Sequence, residues 1–263
     1  MPVTEHKPVI VIKLGGSMLD QLTTSFYASF QDILKHYRCI VVHGGGPSIT
    51  DLLGRLNIEG EFHEGLRKTT RETLEVVEMV LGGKVSGQIT GELAKHGVKA
   101  VGVKGSETTL LRATYMNREK LDYVGKVDYV NADLLEHLLE GDYVPVVSPF
   151  GKTDDHQTVN INADVAAAAI AKAVQAEKLL FVTDVPGILV DDQVIQDTTP
   201  EEISSLIDGG IIYGGMIPKV QSAVDALSDH MQEVLIVSGE DALVEEDKIK
   251  GTSIRAKRKE KIK

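Results

Sequence analysis

Short apolar runs alternate with longer amphipathic stretches along this chain. Apolar runs bounded by turn residues are typical of buried strands, whereas apolar positions three or four residues apart indicate helices. The pattern predicts a strand that begins at Val9 and further strands at 40–42, 98–103, 110–116, 123–130, 143–147, 178–183 and 233–237. It predicts helices at 20–36, 70–96, 132–140, 163–176 and 217–230, with others after Pro47 and Thr199.

Strands that alternate with helices favour an α/β protein with a mainly parallel sheet and helices on both of its faces. Residues 110–116 and 123–130 depart from this order, because two strands around a polar turn are expected to pair antiparallel. A polar stretch at 149–160 is predicted to be an irregular crossing between two halves. The chain therefore divides into lobes at residues 1–158 and 159–263.

Composition narrows the possible partners. The formal net charge of −11 opposes general nucleic-acid binding, which needs an excess of Lys and Arg facing the phosphates. The one cysteine, Cys39, cannot form a disulfide within the chain. Neither a secretory signal nor an apolar run of 18 residues is found, so we expect a soluble cytoplasmic protein that does not bind membranes.

Several familiar catalytic motifs are missing. Gly151-Lys152-Thr153 resembles the end of a Walker A loop, but Val146 stands where the first glycine is needed. No G-x-G-x-x-G follows a strand, and H-E-x-x-H and G-x-S-x-G are absent. These absences make nicotinamide chemistry, zinc hydrolysis and serine esterase chemistry poor explanations, and no metal site held by the protein itself is predicted.

Glycine turns follow two of the predicted strands. Gly15 and Gly16 come directly after the strand that carries Lys13, and Gly44 and Gly45 come after the second strand. Turns of this kind present bare backbone N–H groups to an anion. A second lysine, Lys219, also follows two glycines, at 214 and 215. Two lysines and two such turns indicate phosphoryl transfer.

Six segments in order resemble the amino acid kinase family over nearly the whole chain: VIKLGGS (11–17), VHGGGP (42–47), GLR (65–67), VNINAD (159–164), TDVPGI (183–188) and GGMIPK (214–219). The segment LDYVGKVD (121–128) is similar to a mid-chain hairpin of that family. The resemblance implies an open three-layer αβα sandwich. It also implies that the N-terminal lobe binds an acyl amino acid and forms a homodimer, and that the C-terminal lobe binds ATP.

The implied reaction moves the γ-phosphoryl group of ATP to the side-chain carboxylate of N-acetyl-L-glutamate in arginine biosynthesis. That carboxylate is ionised near neutral pH, so no general base is needed. Lys13 and Lys219 would neutralise charge on the migrating group, and Asp164 would hold both ammonium groups. Mg²⁺ would be carried by the ATP phosphates.

Other site residues follow from the same resemblance. Arg67 would pair with the α-carboxylate of the substrate. Gly44, Gly45 and Asn160 would also contact the substrate. The residues expected at the nucleotide are Gly15, Gly16, Asn162, Thr183, Asp184, Gly187, Gly215 and Met216. For Asn162 a helix N-cap is an equal explanation, and for Asp184 and Gly187 a plain turn is nearly as good.

Two alternatives stay open. One is a related kinase that acts on another acidic or acyl amino acid, such as N-acetyl-aminoadipate. That substrate differs by one methylene, which an enzyme discriminates only modestly. The other is a non-catalytic sensor that keeps the ligand site. The loop at 104–109 departs from the family pattern, so no contacts are assigned to it. About eight residues precede the first strand, which favours the homodimer over a ring-shaped hexamer.

Overall fold

The computed structural model describes residues 7–191, 193–214, 216–228, 231–245 and 248–256. In chain order, the strands in these ranges are β1 (Val9–Leu14), β2 (Arg38–His43), β3 (Phe62–His63), β4 (Leu66–Arg67), β5 (Ala100–Lys104), β6 (Leu111–Tyr115), β7 (Val124–Val130), β8 (Val144–Ser148), β9 (Phe150–Lys152), β10 (Thr158–Ile161), β11 (Lys178–Thr183), β12 (Leu189–Val190), β13 (Gln193–Val194), β14 (Asp197–Thr198), β15 (Glu233–Ser238), β16 (Val244–Glu245), β17 (Lys248–Ile249) and β18 (Thr252–Arg255). The α-helices are α1 (Thr24–His36), α2 (Gly46–Arg55), α3 (Arg71–Met79), α4 (Ser86–Lys95), α5 (Arg118–Leu121), α6 (Asp133–Glu140), α7 (Ala163–Ala173), α8 (Pro200–Asp208) and α9 (Met216–Ala226).

Eight strands form the central sheet, in the order β14-β18-β15-β11-β1-β2-β8-β5. The six strands from β15 to β5 run parallel, and β18 pairs antiparallel with β15. The prediction of a mainly parallel sheet is confirmed. The chain moves from β1 to β2 on one side and later fills β11 on the other, which makes the carboxyl end of β1 a topological switch point. Open α/β sheets bind ligands at such points.

Alternate residues of β1 pack into two separate cores. Val9 and Val11 belong to the core that α6, α7, α8 and α9 cover, while Ile10, Ile12 and Leu14 belong to the core that α1, α3 and α4 cover. Side chains along a strand point alternately to opposite faces, so one apolar strand can serve both layers. The predicted αβα sandwich is therefore confirmed, and the alternation places Lys13 on the α7 face.

The segment predicted as an irregular crossing is instead part of a small closed barrel, and that prediction was wrong. Strands β9 and β10 pair antiparallel, with Val159 opposite Gly151, and β6 and β7 complete the barrel. The polar residues between β9 and β10 form the turn of this hairpin. Thr153 Oγ1 accepts a hydrogen bond from the backbone N of Gln157 at 3.1 Å and stabilises the turn. The division into lobes at 158 and 159 stays a prediction.

The long helix predicted at 70–96 is interrupted. A π-helical segment, Val80–Val85, separates α3 from α4. Inside it, a Cβ built on Gly82 would lie 2.8 Å from Cε of Lys104, so the segment packs closely on the end of β5. The helix predicted to begin at 20 begins at Thr24, because Thr23 Oγ1 accepts from the backbone N of Phe26 and caps it. Among the described residues, no helix combines the length and the apolar character needed to cross a membrane.

Candidate active site

The two predicted glycine turns lie in backbone contact. Strands β1 and β2 end side by side, with Leu14 opposite His43, and Gly44 N donates to Leu14 O at 2.9 Å. A Cβ built on Gly16 would lie 2.5 Å from the backbone N of Gly45, which leaves no room for a side chain. The two turns therefore pack directly against each other at the carboxyl ends of β1 and β2.

The side chain of His43 stabilises the glycine turn formed by Gly44 and Gly45. Its side chain is fully buried, its Nδ1 donates to Gly44 O at 3.1 Å, and its Nε2 lies 3.0 Å from Ser148 Oγ. Ser148 Oγ also lies 3.1 Å from Leu81 O. Burial lowers the pKa of His43 to about 4, so the ring is neutral near pH 7.

Lys13 forms an ion pair with Asp164 at the first turn of α7. The Nζ to Oδ1 distance is 2.8 Å, and the two side chains are 16% and 30% exposed. Asn162 caps the same helix, because its Oδ1 accepts from the backbone N of Asp164 at 2.8 Å and of Val165 at 3.2 Å. The N-cap proposed for Asn162 is thus present, and it sets the helix turn from which Asp164 reaches Lys13.

Lys219 pairs with a different carboxylate. Its Nζ donates to Asp184 Oδ1, and Thr183 Oγ1 donates to the same oxygen at 2.8 Å. The hydrogen bond from Lys219, followed by that from Thr183, lowers the pKa of Asp184 below its usual value. We expected Asp164 to hold both lysines, but the structure differs: α9 brings Lys219 to the residue that follows β11, while Asp164 bonds Lys13 alone among the described lysines and arginines.

A cleft of about 470 Å³ contains both lysines, and we call it the lysine cleft. Its walls include five more of the predicted residues and several that the sequence did not single out. The lining residues are Lys13, Gly15, Gly16, Ser17, Met18, Glu64, Gly65, Leu66, Asn162, Asp164, Phe181, Val182, Thr183, Pro218, Lys219, Ser222 and Ile236. No group of three or more His, Cys, Asp or Glu side chains suited to a metal ion is found in the described part of the chain.

A second cavity of about 590 Å³ adjoins this cleft, and we call it the arginine cavity. It is lined by all four residues predicted to bind the acyl amino acid: Gly44, Gly45, Arg67 and Asn160. Gly65, Leu66 and Asn162 line both spaces, so two ligands bound in them would approach each other at this shared wall.

Arg67 is held in place without a carboxylate partner. Its Nη2 donates to Thr50 Oγ1 at 2.7 Å and to Gly46 O at 3.3 Å, and its Cζ lies 4.6 Å from the centre of the Phe62 ring. Burial lowers the pKa of this guanidinium, which still stays charged in proteins. Among the described residues no carboxylate lies within 4.0 Å of it, so its charge is free to bind an anion in the cavity.

Three of the described residues predicted at the nucleotide do not line the lysine cleft: Gly187, Met216 and Asp184. A Cβ on Gly187, whose φ is +151°, would lie 2.7 Å from Thr252 Oγ1, so this glycine is packed inside the C-terminal half. Met216 packs against the core under α9. Gly215 lies outside the described residues. Asp184 does not line the cleft, but it holds Lys219.

The sequence reasoning also missed residues that line or support the site. Ser222 lies three positions after Lys219 on α9, and that helical spacing alone could have predicted a shared face. Glu64 and Gly65 form the tip of the β3–β4 hairpin, with φ values of 50° and 79°, where a short Gly-containing turn between two runs was a detectable signal. Thr50 and Phe62 gave no such signal.

Comparison with known proteins shows the family of this chain. The model of the Amino acid kinase family matches residues 8–238. The acetylglutamate kinase of Geobacillus sp. is 50% identical over 247 residues, which is 94% of this chain and 96% of that protein, and the acetylglutamate kinase of Bacillus subtilis is 46% identical over 249 residues, with the same two shares.

Two solved structures share the fold. The Streptococcus mutans UA159 protein smu.665 has a TM-score of 0.82 at 30% identity, covering 95% of this chain and 99% of that one. The N-acetylglutamate synthase of Neisseria gonorrhoeae, complexed with coenzyme A and N-acetyl-glutamate, has a TM-score of 0.81 at 22% identity, covering 96% of this chain and 60% of that one, and shows the fold alone. This chain belongs to the amino acid kinase family.

Proposed function

We propose that this protein transfers the γ-phosphoryl group of ATP to the side-chain carboxylate of N-acetyl-L-glutamate, forming N-acetyl-L-glutamyl 5-phosphate and ADP in arginine biosynthesis. One observation supports this proposal above the others. The arginine cavity, in which Arg67 has no carboxylate partner among the described residues, adjoins the lysine cleft and shares a wall with it. The 44–50% identity to acetylglutamate kinases over nearly the full length supports the same substrate.

The acceptor binds in the arginine cavity. Arg67 would bind its α-carboxylate, since a guanidinium fork matches the two carboxylate oxygens. Gly44 and Gly45 would line the acceptor, and Asn160 would offer a side-chain amide. Of the two glycines, Gly45 would offer its backbone N–H group, because that of Gly44 already bonds Leu14 O. With these groups fixed, the side-chain carboxylate of the acceptor would extend towards the shared wall at Gly65, Leu66 and Asn162.

The phosphates bind in the lysine cleft. Lys13 would approach the migrating phosphoryl group from β1, and Lys219 would approach it from α9 on the C-terminal side. Both ammonium groups would neutralise charge on its equatorial oxygens while attacking and leaving oxygens align. The acceptor carboxylate is already ionised, so the chain supplies alignment and charge and not a base.

The two carboxylates near the lysines are already paired, and this decides how Mg²⁺ would be held. Asp164 and Asp184 already bind Lys13 and Lys219, so the ion would be held chiefly by the nucleotide phosphates. When bound, Mg²⁺ would neutralise part of the triphosphate charge.

Residues 1–158 would bind the acceptor and form the homodimer, and residues 159–263 would bind ATP. We also propose a cytoplasmic enzyme that binds neither nucleic acid nor membrane; light scattering after size exclusion tests the dimer, which a hexamer would contradict.

A coupled assay of ADP release tests the proposed reaction. N-acetyl-L-glutamate, N-acetyl-aminoadipate, glutamate and aspartate are compared as acceptors at equal concentration, with calorimetric binding of N-acetyl-L-glutamate measured in parallel. We expect the highest kcat/KM with N-acetyl-L-glutamate. Faster turnover of N-acetyl-aminoadipate would identify a related kinase, and binding without turnover would identify a sensor; either result contradicts the proposal.

A further inference from the structure

Thr69 joins the hairpin that carries Arg67 to the small barrel that carries Asn160. It lies between β4 and α3 and is fully buried. Its backbone N donates to Leu121 O at 3.2 Å, and its backbone O accepts from Tyr123 N at 2.9 Å. These bonds fix the backbone of Thr69 against the barrel, so its side chain has a defined direction.

The hydroxyl of Thr69 touches both residues proposed to bind the acceptor. It donates to the backbone O of Arg67 at 3.0 Å and accepts from Asn160 Nδ2 at 3.1 Å. A hydroxyl has one proton, and the carbonyl of Arg67 can only accept it. Thr69 Oγ1 is therefore left as an acceptor, and the group of Asn160 that faces it must be the NH₂.

This arrangement decides which way the amide of Asn160 points. With Nδ2 bonded to Thr69, Oδ1 is directed elsewhere, and it accepts no hydrogen bond from the described residues. Among the described residues, the only fully buried side-chain polar atom without a hydrogen-bond partner is Tyr115 Oη, so Asn160 Oδ1 is not sealed from solvent. Because Asn160 lines the arginine cavity, its carbonyl oxygen is the group available to a ligand there.

We propose that Thr69 is a positioning residue that fixes the amide of Asn160 with its carbonyl oxygen towards the arginine cavity, where it selects an acceptor bearing an N–H group at the α-carbon. The inference rests on the proposed function. It adds a requirement of its own: the nitrogen of the acylated amine must donate a hydrogen bond. An ester in place of the amide offers no proton there, and its oxygen would face Oδ1 with lone pairs on both atoms.

Kinetics of Thr69→Val and Thr69→Ser test the positioning role. Valine has the shape of threonine without the hydroxyl, and serine keeps the hydroxyl. We expect Thr69→Val to raise KM and Kd for N-acetyl-L-glutamate about 10-fold or more, while kcat and KM for ATP change less than about 3-fold. Thr69→Ser should restore most of the affinity. Unchanged affinity in Thr69→Val, or equal loss in Thr69→Ser, would overturn the proposal.

Thr252→Val is the matched control for loss of a buried hydroxyl. Thr252 is also fully buried, and its Oγ1 likewise donates to a backbone O, that of Ile195 at 2.7 Å, and accepts one N–H, that of Ile188 at 2.8 Å. We expect Thr252→Val to lower stability without raising KM for N-acetyl-L-glutamate. An equal rise in KM in Thr252→Val would show that general destabilisation causes the effect, and would contradict the role proposed for Thr69.

The ester analogue, 2-acetoxyglutarate, tests the proposal on the unaltered protein. We expect it to bind at least about 10-fold more weakly than N-acetyl-L-glutamate. Equal binding would contradict the role assigned to Asn160 Oδ1, even if Thr69→Val fails to fold. Failure of the proposed function appears separately, as absence of N-acetyl-L-glutamate turnover by the unaltered protein, whereas failure of this inference appears only when that turnover is present.

Discussion

Lys13 and Lys219 each take their position from a different aspartate. Lys13 depends on Asp164 at the start of α7, and Lys219 depends on Asp184 after β11. Both ammonium groups line the same cleft. Each lysine can therefore be perturbed without moving the other.

Alanine at either lysine should chiefly slow the reaction. Lys13→Ala and Lys219→Ala remove charge that is needed most in the transition state, so we expect kcat to fall about 100-fold or more and KM to change far less. Arg67→Ala should instead chiefly raise KM for the acceptor. Steady-state kinetics check this prediction, and exchange of the two patterns would reject the assigned roles.

A double-mutant cycle distinguishes the two aspartates. We expect the effects on kcat of Asp184→Asn and Lys219→Ala to be strongly non-additive, because the two side chains bond directly. The matched cycle of Asp164→Asn with Lys219→Ala should be closer to additive. Equal coupling in both cycles would support the original expectation of one shared aspartate and contradict the observed pairing.

His43 should make stability depend on pH. The fold lowers its pKa from 6.5 to about 4, so the neutral ring stabilises the protein fully above pH 6.5, and this stabilisation is lost as the pH falls towards 4. The loss is on the order of 3 kcal/mol. Urea unfolding at pH 7.5 and 4.5 should show a smaller pH dependence for His43→Gln than for the unaltered protein. The same dependence in both would contradict this account.

Among the elements, the first glycine turn has no room for a side chain at Gly16. Gly16→Ala would place a methyl group against the backbone of Gly45, which cannot move aside as a side chain could. We expect Gly16→Ala to lower the free energy of unfolding by about 1–3 kcal/mol and to reduce activity strongly. Gly46→Ala is the control for stability, because no atom lies within 4 Å of the Cβ it would add. Equal stability of the two variants would show that the turns are not in contact.

Local sequence signals predicted most elements that form the site. Lys13 was predictable because strand alternation and the following glycines depend only on neighbouring residues. The partner of Lys219 was not, since Asp184 lies 35 residues away and meets it only because α9 packs on β15, the strand next to β11. The β9–β10 hairpin was missed because a polar turn between two short strands looks like a linker until the barrel pairs them.

For the molecule as a whole, one claim connects the two halves: a phosphoryl group passes between them with a lysine on each side. Lys13 of β1 and the glycine turns after β1 and β2 line the two spaces, and residues of β11 and α9 line the lysine cleft. Because Lys13 and Lys219 bond different carboxylates, no side chain bonds both of them and holds them at a fixed distance in the described chain. We therefore expect the two lysines to be best aligned with the phosphoryl group only when both ligands are bound.

A crystal structure with N-acetyl-L-glutamate, ADP, Mg²⁺ and a planar fluoride analogue of the transferred group tests this claim most directly. We expect Nζ of Lys13 and Nζ of Lys219 each to lie about 2.7–3.0 Å from an equatorial atom of the analogue. Arg67 should bind the α-carboxylate of the acceptor in the same crystal. A complex in which either ammonium group points away from the analogue would contradict the two-lysine account.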